Sequence, residues 1–151
     1  MYLFKKNTTN FIRIKINLLL ILSILFFFTN AYAEEKFIGF VDTLEGKAVI
    51  NRGEDSSKLN EFDQIFINDK VEADIGSVII ISFIDNSLLT LKDKSEFSIK
   101  KFDKDSSEPS FILSIPGGKF SFESGSIAKD KKGIMKIKLS GMDIKLNGTL
   151  V

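Results

Sequence analysis

Apolar and polar residues alternate along most of this chain in short runs, and Gly, Asn, Asp, Ser or Pro interrupts each run after about eight to twelve residues. Side chains on a pleated strand point alternately to its two faces, so a chain with this period can bury its apolar set only as sheet. The spacing predicts strands over residues 37–43 and 47–51, joined as a hairpin through Leu44-Glu45-Gly46, where glycine supplies the positive φ of a tight turn. Short strands are expected over 64–67 and 71–73, on either side of an Asn68-Asp69 turn. Residues 77–84 read as a continuous apolar run, Val78-Ile79-Ile80-Ile81 then Phe83-Ile84, which predicts the central strand with both faces covered. Asp85-Asn86-Ser87 then turns the chain, because Asn tolerates the left-handed region and Asp closes Asx turns.

The second half continues the pattern. Leu89 and Leu91, then Phe97 and Ile99 after a turn at 92–95, are expected to face inward. A polar loop over 103–109 leads to a strand at 111–115 that ends in the turn signature Pro116-Gly117-Gly118. Phe120 and Phe122 alternate with Lys119, Ser121 and Glu123, which predicts one buried and one wet face. Met135, Ile137 and Leu139 follow a hairpin tip at 129–133, and Ile144 and Leu146 are expected inward against Asp143, Lys145 and Asn147. No stretch after residue 33 sustains apolar residues at helical spacing. The fold class is therefore all-β, with about ten short strands in a sandwich, a partly rolled barrel or a flattened β-solenoid, preceded by a helical signal peptide.

That leader is read from the first 33 residues. Lys5, Lys6, Arg13 and Lys15 occur there without a single acid, and 16–28 is nearly all Leu, Ile and Phe. Ala31-Tyr32-Ala33 then presents small residues at the spacing of a signal-peptidase site. The apolar run is shorter than the roughly twenty residues a bilayer core demands, so cleavage after Ala33 is expected and no stable membrane span remains after it. Residues 34–151 then form one domain, periplasmic or secreted. Loss of the leader's four bases leaves 17 Lys and Arg against 20 Asp and Glu, a formal charge near −3, which disfavours nucleic acid as a partner.

Composition narrows the chemistry further. Cysteine, histidine and tryptophan are absent, and both tyrosines, Tyr2 and Tyr32, lie in the leader. Such a chain holds no disulfide, no Ser-His-Asp triad, no cysteine nucleophile and no His-ligated zinc or copper site. A non-catalytic protein is expected, with no catalytic, cofactor-binding or metal residue assigned and no cofactor.

The order of strands and turns from about Gly39 to Thr149 resembles the FecR-type periplasmic domain, named after the ferric-citrate sensor regulator. Its opening G-x-V strands and basic residue correspond to Gly39-Phe40-Val41, Gly46-Lys47-Ala48-Val49 and Arg52. Its Gly-Asp-x-Val turn corresponds to Asn68-Asp69-Lys70-Val71, and its Gly-Ser-x strand to Gly76-Ser77-Val78. The segment F-x-D-G-S/T-x-L-x-L is matched by Phe83 to Leu91, with Asp85, Asn86, Ser87, Leu89 and Leu91 in place, followed by Ser95 and Ile99. G-x-F-x-F-x-S-G is matched by Gly118, Phe120, Phe122, Ser124 and Gly125, and the closing Gly-Thr by Gly148-Thr149. Asn68 and Asn86 stand where glycine is usual, and both accept positive φ. The resemblance implies the periplasmic module of a signalling system; about fifteen residues precede the apolar run, so the family's sigma-factor-binding arm is not carried over. Family members run further than Val151, which makes a C-terminally truncated product an expectation.

Three readings follow: an interaction or signalling module of the bacterial envelope that binds an envelope protein or polymer, a periplasmic part of a transport-linked signalling system, and a carboxylate-only hydrolase. For the hydrolase, Glu72, Asp74, Asp85, Glu96 and Glu123 supply acids, but the Trp and Tyr that usually stack on sugars are missing after the leader. Asp69 and Asp85 are expected to cap backbone N–H groups in turns. Residues 103–108 alternate oxygen ligands but lack the glycine and glutamate of a calcium loop, and 54–57 reads as a surface loop. Lys129-Asp130-Lys131-Lys132 is a basic tip that keeps an edge soluble, or touches an anionic surface. The phenylalanines belong mainly to the core, and an exposed patch of Phe37, Phe40, Phe62 and Phe66 would be the exception to that rule; a partner is expected at strand edges and loops, with β-augmentation at 142–151. Amino-terminal sequencing of the exported protein should begin at Glu34, and a chain recovered with residues 1–33 attached would overturn the cleavage expectation.

Overall fold

The computed structural model describes residues 36–146; the expected leader and the closing Gly148-Thr149 lie outside the described residues. Among the described residues the alternation becomes ten strands and one short helix: β1 (Phe37–Glu45), β2 (Ala48–Arg52), β3 (Asp55–Lys58), β4 (Gln64–Phe66), β5 (Lys70–Ala73), β6 (Val78–Phe83), β7 (Leu88–Asp103), β8 (Ser110–Glu123), α1 (Ser126–Lys129), β9 (Ile134–Leu139) and β10 (Met142–Leu146). The domain is all-β. Its strands form one open, curled sheet, ordered β10-β9-β8-β7-β5-β2-β3, with β6, β1 and β4 branching from β7.

The branch exists because β7 and β8 bend together. One half of β7 pairs with β6 from Val78↔Lys92 to Ser82↔Leu88, and the other half pairs with β5 from Lys70↔Ser98 to Glu72↔Glu96. Between the halves, Asp93 and Lys94 take φ of 42° and 48°, and the β7–β8 register shifts between Lys92 and Glu96. On β8 the bend falls at Pro116-Gly117-Gly118, with Gly118 at φ +102°. A Cβ on Gly118 would lie 2.4 Å from the Ser95 Cα, so only glycine allows this approach. Ser95 Oγ then accepts the Lys119 N–H (3.0 Å) and reaches the Lys119 carbonyl (2.9 Å). Asp93 braces the corner, accepting the Gly76 N–H (3.1 Å) and pairing with Lys119 Nζ (3.2 Å). The Lys119 hydrogen bond, helped by the Gly76 N–H, holds the Asp93 carboxyl below its ordinary range.

The turns expected at 92–95 and 116–118 are thus bends inside continuous strands rather than chain reversals. Two expected hairpins are also corrected. β1 pairs with β4 and β6 while β2 pairs with β3 and β5, so Gly46 (φ +88°) makes a corner that sends the chain to the other half of the sheet. Ser77 Oγ fixes that corner, accepting the Lys47 N–H at 2.9 Å. Residues 129–133 are no hairpin tip either: β9 runs parallel to β8, from Ser110↔Ile134 to Ile115↔Leu139, and the connection crosses over through α1, which buries Ile127 and Ala128. Residues 54–57, expected as a loop, supply most of β3, an edge strand exposed at every position.

Burial follows the alternation. On β6, Ile79, Ile81 and Phe83 are buried while Val78, Ile80 and Ser82 are half-buried, so its second face is only partly covered. Leu89, Leu91, Phe97 and Ile99 are fully enclosed. Phe120 and Phe122 are half-buried and pack against the same core. β10 departs from expectation at Ile144, which stays 36% exposed beside Met142 at 59%, because no further strand lies beyond them among the described residues, while Leu146 is half-buried against the core. At one end of the core Phe111 meets Phe83 and Phe102 edge-on at centroid distances of 4.9 Å, and Phe122 at 5.9 Å. Phe111→Ala should therefore lower unfolding free energy by about 3–5 kcal/mol in denaturant titration; a loss under about 1 kcal/mol would show that the cluster does not hold the core.

Candidate interaction surface

The two turn carboxylates are structural. Asp69, 1% exposed, accepts the Phe66 N–H (2.8 Å) across the turn and receives Arg52 through both Nε and Nη2 (2.9 Å each). Asn68, at φ 70°, makes the turn tight enough for this. The Arg52 guanidinium also reaches the Gln64 carbonyl (3.1 Å) and lies over the Phe66 ring at 4.5 Å. β2 and the β4–β5 turn are thereby clamped together. Asp85 is fully enclosed and accepts the Ser87 N–H (3.0 Å) and Oγ–H (2.9 Å). Ser87 Oγ accepts the Gly125 N–H (2.9 Å), and the Asp85 carbonyl accepts the Ser126 N–H (2.7 Å), tying the β6–β7 turn to the start of α1.

The remaining acids are scattered. Glu72 and Glu96 stand directly opposite on β5 and β7, and Lys70 Nζ bridges them at 3.1 and 2.9 Å, which raises the Lys70 pKa. They lie side by side on an outer sheet face rather than across a cleft. Glu72 and Asp74 also border an open groove of about 650 Å³ between β2, β3 and β5, whose rim carries Lys47 and Lys58. Glu123 lies opposite Leu88 at the far end of β8. In the 103–109 loop, Asp105 holds Lys36 Nζ at 2.7 Å, and this contact moves the Asp105 carboxyl down and the Lys36 amine up. Among the described residues no group of acids forms a metal cage, and no helix is long and apolar enough to cross a membrane.

Large apolar side chains are exposed at several places, three of them phenylalanines of β1 and the turn before β4. Phe37 and Phe40 are 42% and 38% exposed on the outer face of β1, and Phe62 is 74% exposed. The register sets Phe37 opposite Phe66 and Phe40 opposite Gln64. Phe62 donates its N–H to the Val41 carbonyl (2.8 Å) with φ at 68°, a conformation unfavourable for a bulky side chain. Phe62, Phe66, Gln64 and Arg52 share a shallow groove of about 560 Å³. The four phenylalanines singled out in the sequence thus gather along β1 and β4, with Phe66 half-buried beneath Arg52. Sequence reasoning missed that Arg52 serves this rim, although Arg52 and Asp69 each fall on positions of the quoted motifs. It also missed Ile75, 71% exposed in the β5–β6 turn.

Another open surface is the edge of β10. Lys129, Lys131 and Lys132 stand exposed near its sheet, in the crossover before β9. No family model, curated protein or solved structure matches the chain. Asp69→Ala should leave the Phe66 N–H without its acceptor and release Arg52 from its ring, costing about 1–3 kcal/mol in thermal or denaturant unfolding. A variant as stable as the parent would show that the clamp contributes nothing.

Proposed function

We propose that this chain is an exported, non-catalytic FecR-type module that binds an envelope protein through the aromatic rim of β1 and β4. The observation that carries the reading is the exposure of Phe37, Phe40 and Phe62 beside the Arg52-capped Phe66. A soluble domain gains nothing by leaving these rings in water, and full burial of one such ring contributes about 1.5–3 kcal/mol. Aromatic side chains, phenylalanine among them, and arginine are enriched at protein interfaces. The leader pattern supports a site outside the cytoplasm, and the sequence lacks the His and Cys on which most hydrolytic and redox sites depend.

The transport-linked signalling reading rests on the resemblance alone and uses the same rim. A photo-crosslinking residue introduced at Phe62 in the full chain, expressed in its native envelope, should capture a discrete protein adduct that the same residue at Glu54 does not. Combining it with Phe37→Ser and Phe40→Ser should abolish the adduct, with circular dichroism and cooperative unfolding showing that the variant still folds. A polysaccharide adduct would replace protein by polymer as partner; identical patterns at both positions would overturn the rim as a binding site.

A further inference from the structure

Beyond the rim, we propose that the free edge of β10 pairs antiparallel with β10 of a second copy, about a two-fold axis at Ile144, joining two sheets into one. β10 pairs with β9 from Met142↔Leu139 to Leu146↔Met135, and nothing pairs on its other side among the described residues. An unpaired edge exposes a row of backbone donors and acceptors to another strand.

The side chains specify which strand. Met142, Ile144 and Leu146 continue the core face past Leu139, Ile137 and Met135, and Met142 and Ile144 stay 59% and 36% exposed there. Asp143 and Lys145 lie on the opposite, outer face, across from Lys138 and Lys136. Lys145 directly opposite Lys136 is a like-charge cross-strand pair, which is unfavourable, and neither lysine forms an ion pair among the described residues.

Antiparallel pairing centred on Ile144 sets Asp143 opposite the second copy's Lys145, Lys145 opposite its Asp143, and Met142 opposite its Leu146. Both apolar rows then share one face, and Lys145 gains a carboxylate neighbour. Moving the centre to 143 sets Asp143 against itself; moving it to 145 sets Lys145 against itself. A half-step shift turns the apolar row of one copy onto the charged face of the other. Parallel pairing of the two free edges turns one sheet over and sets the apolar row of one copy beside the charged row of the other. The pattern Met-Asp-Ile-Lys-Leu therefore admits one self-pairing, and that register is isologous. A partner strand lacking a carboxylate and an amine at these two positions does not satisfy the edge equally.

Two experiments on the full chain, expressed with its leader and purified from the compartment it reaches, test this. In sedimentation equilibrium the parent should show concentration-dependent dimerisation. Asp143→Lys or Lys145→Asp should weaken it by tenfold or more, the double exchange Asp143→Lys/Lys145→Asp should restore it, and an equimolar mixture of the two single variants should form a heterodimer. A parent that stays monomeric to about millimolar concentration, or single variants that dimerise like the parent, would overturn the proposal. Should a charge variant fold poorly, the absence of native cysteine offers a second route. Ile144→Cys should oxidise readily to a disulfide-linked dimer, because directly opposed residues lie within disulfide reach, whereas Glu54→Cys should not. Equal yields from both would also overturn it. Neither outcome depends on the aromatic rim, so failure here leaves the partner-binding reading untouched.

Discussion

The joint bend in β7 and β8 is the constraint on which the rest of this domain depends. As straight strands of 16 and 14 residues they would make a flat ribbon roughly 50 Å long, with its apolar face in water. Gly118 against Ser95, and the left-handed Asp93-Lys94 pair, fold that ribbon across its middle. Each half then recruits its own neighbours, β6 and β1 on one side of the bend, β5 and β2 on the other. The inward rows Ile79–Leu91 and Val71–Phe97 accordingly contribute to one core.

Buried polarity sits where the chain changes direction. Asp69, Ser77, Asp85, Ser87 and Ser95 are enclosed, and each satisfies backbone groups at a turn, corner or bend. Without disulfides, such corners hold the loops in place by local hydrogen bonding, and an enclosed carboxylate left without partners would cost several kcal/mol. The Arg52–Asp69 clamp extends this logic to the surface, since the arginine that completes a buried carboxylate also covers a phenylalanine. Ser110 is the exception: its buried hydroxyl has no hydrogen-bond partner among the described residues.

Open sheets leave edges and outer faces to be managed. β3 is managed by its composition, Asp-Ser-Ser-Lys, exposed throughout. β10 and the β1–β4 rim are managed less completely, because apolar side chains stay in water at both. Apolar exposure beside a free edge is the physical ground for both functional proposals, one resting on aromatic rings and the other on backbone pairing selected by charge.

Local chemistry alone determined that this polypeptide is built of strands, which residues of β6 and β7 point inward, and where direction changes. Period-two alternation leaves no other way to bury Ile79, Ile81, Leu89 or Ile99, and asparagine at 68 and 86 announces positive φ. Local pattern assigned phenylalanine to the core and marked Phe37, Phe40, Phe62 and Phe66 only as the exception to look for; packing decided that Phe37, Phe40 and Phe62 stay in water. Partnership between strands was not legible. Whether Gly46 closes a hairpin or turns a corner, whether Pro116-Gly117-Gly118 reverses or bends the chain, and whether β9 runs with or against β8 depend on residues far away in sequence. Only tertiary packing decides these, because a turn's own residues set its dihedral angles while the strand that receives the chain is chosen by the area buried on arrival.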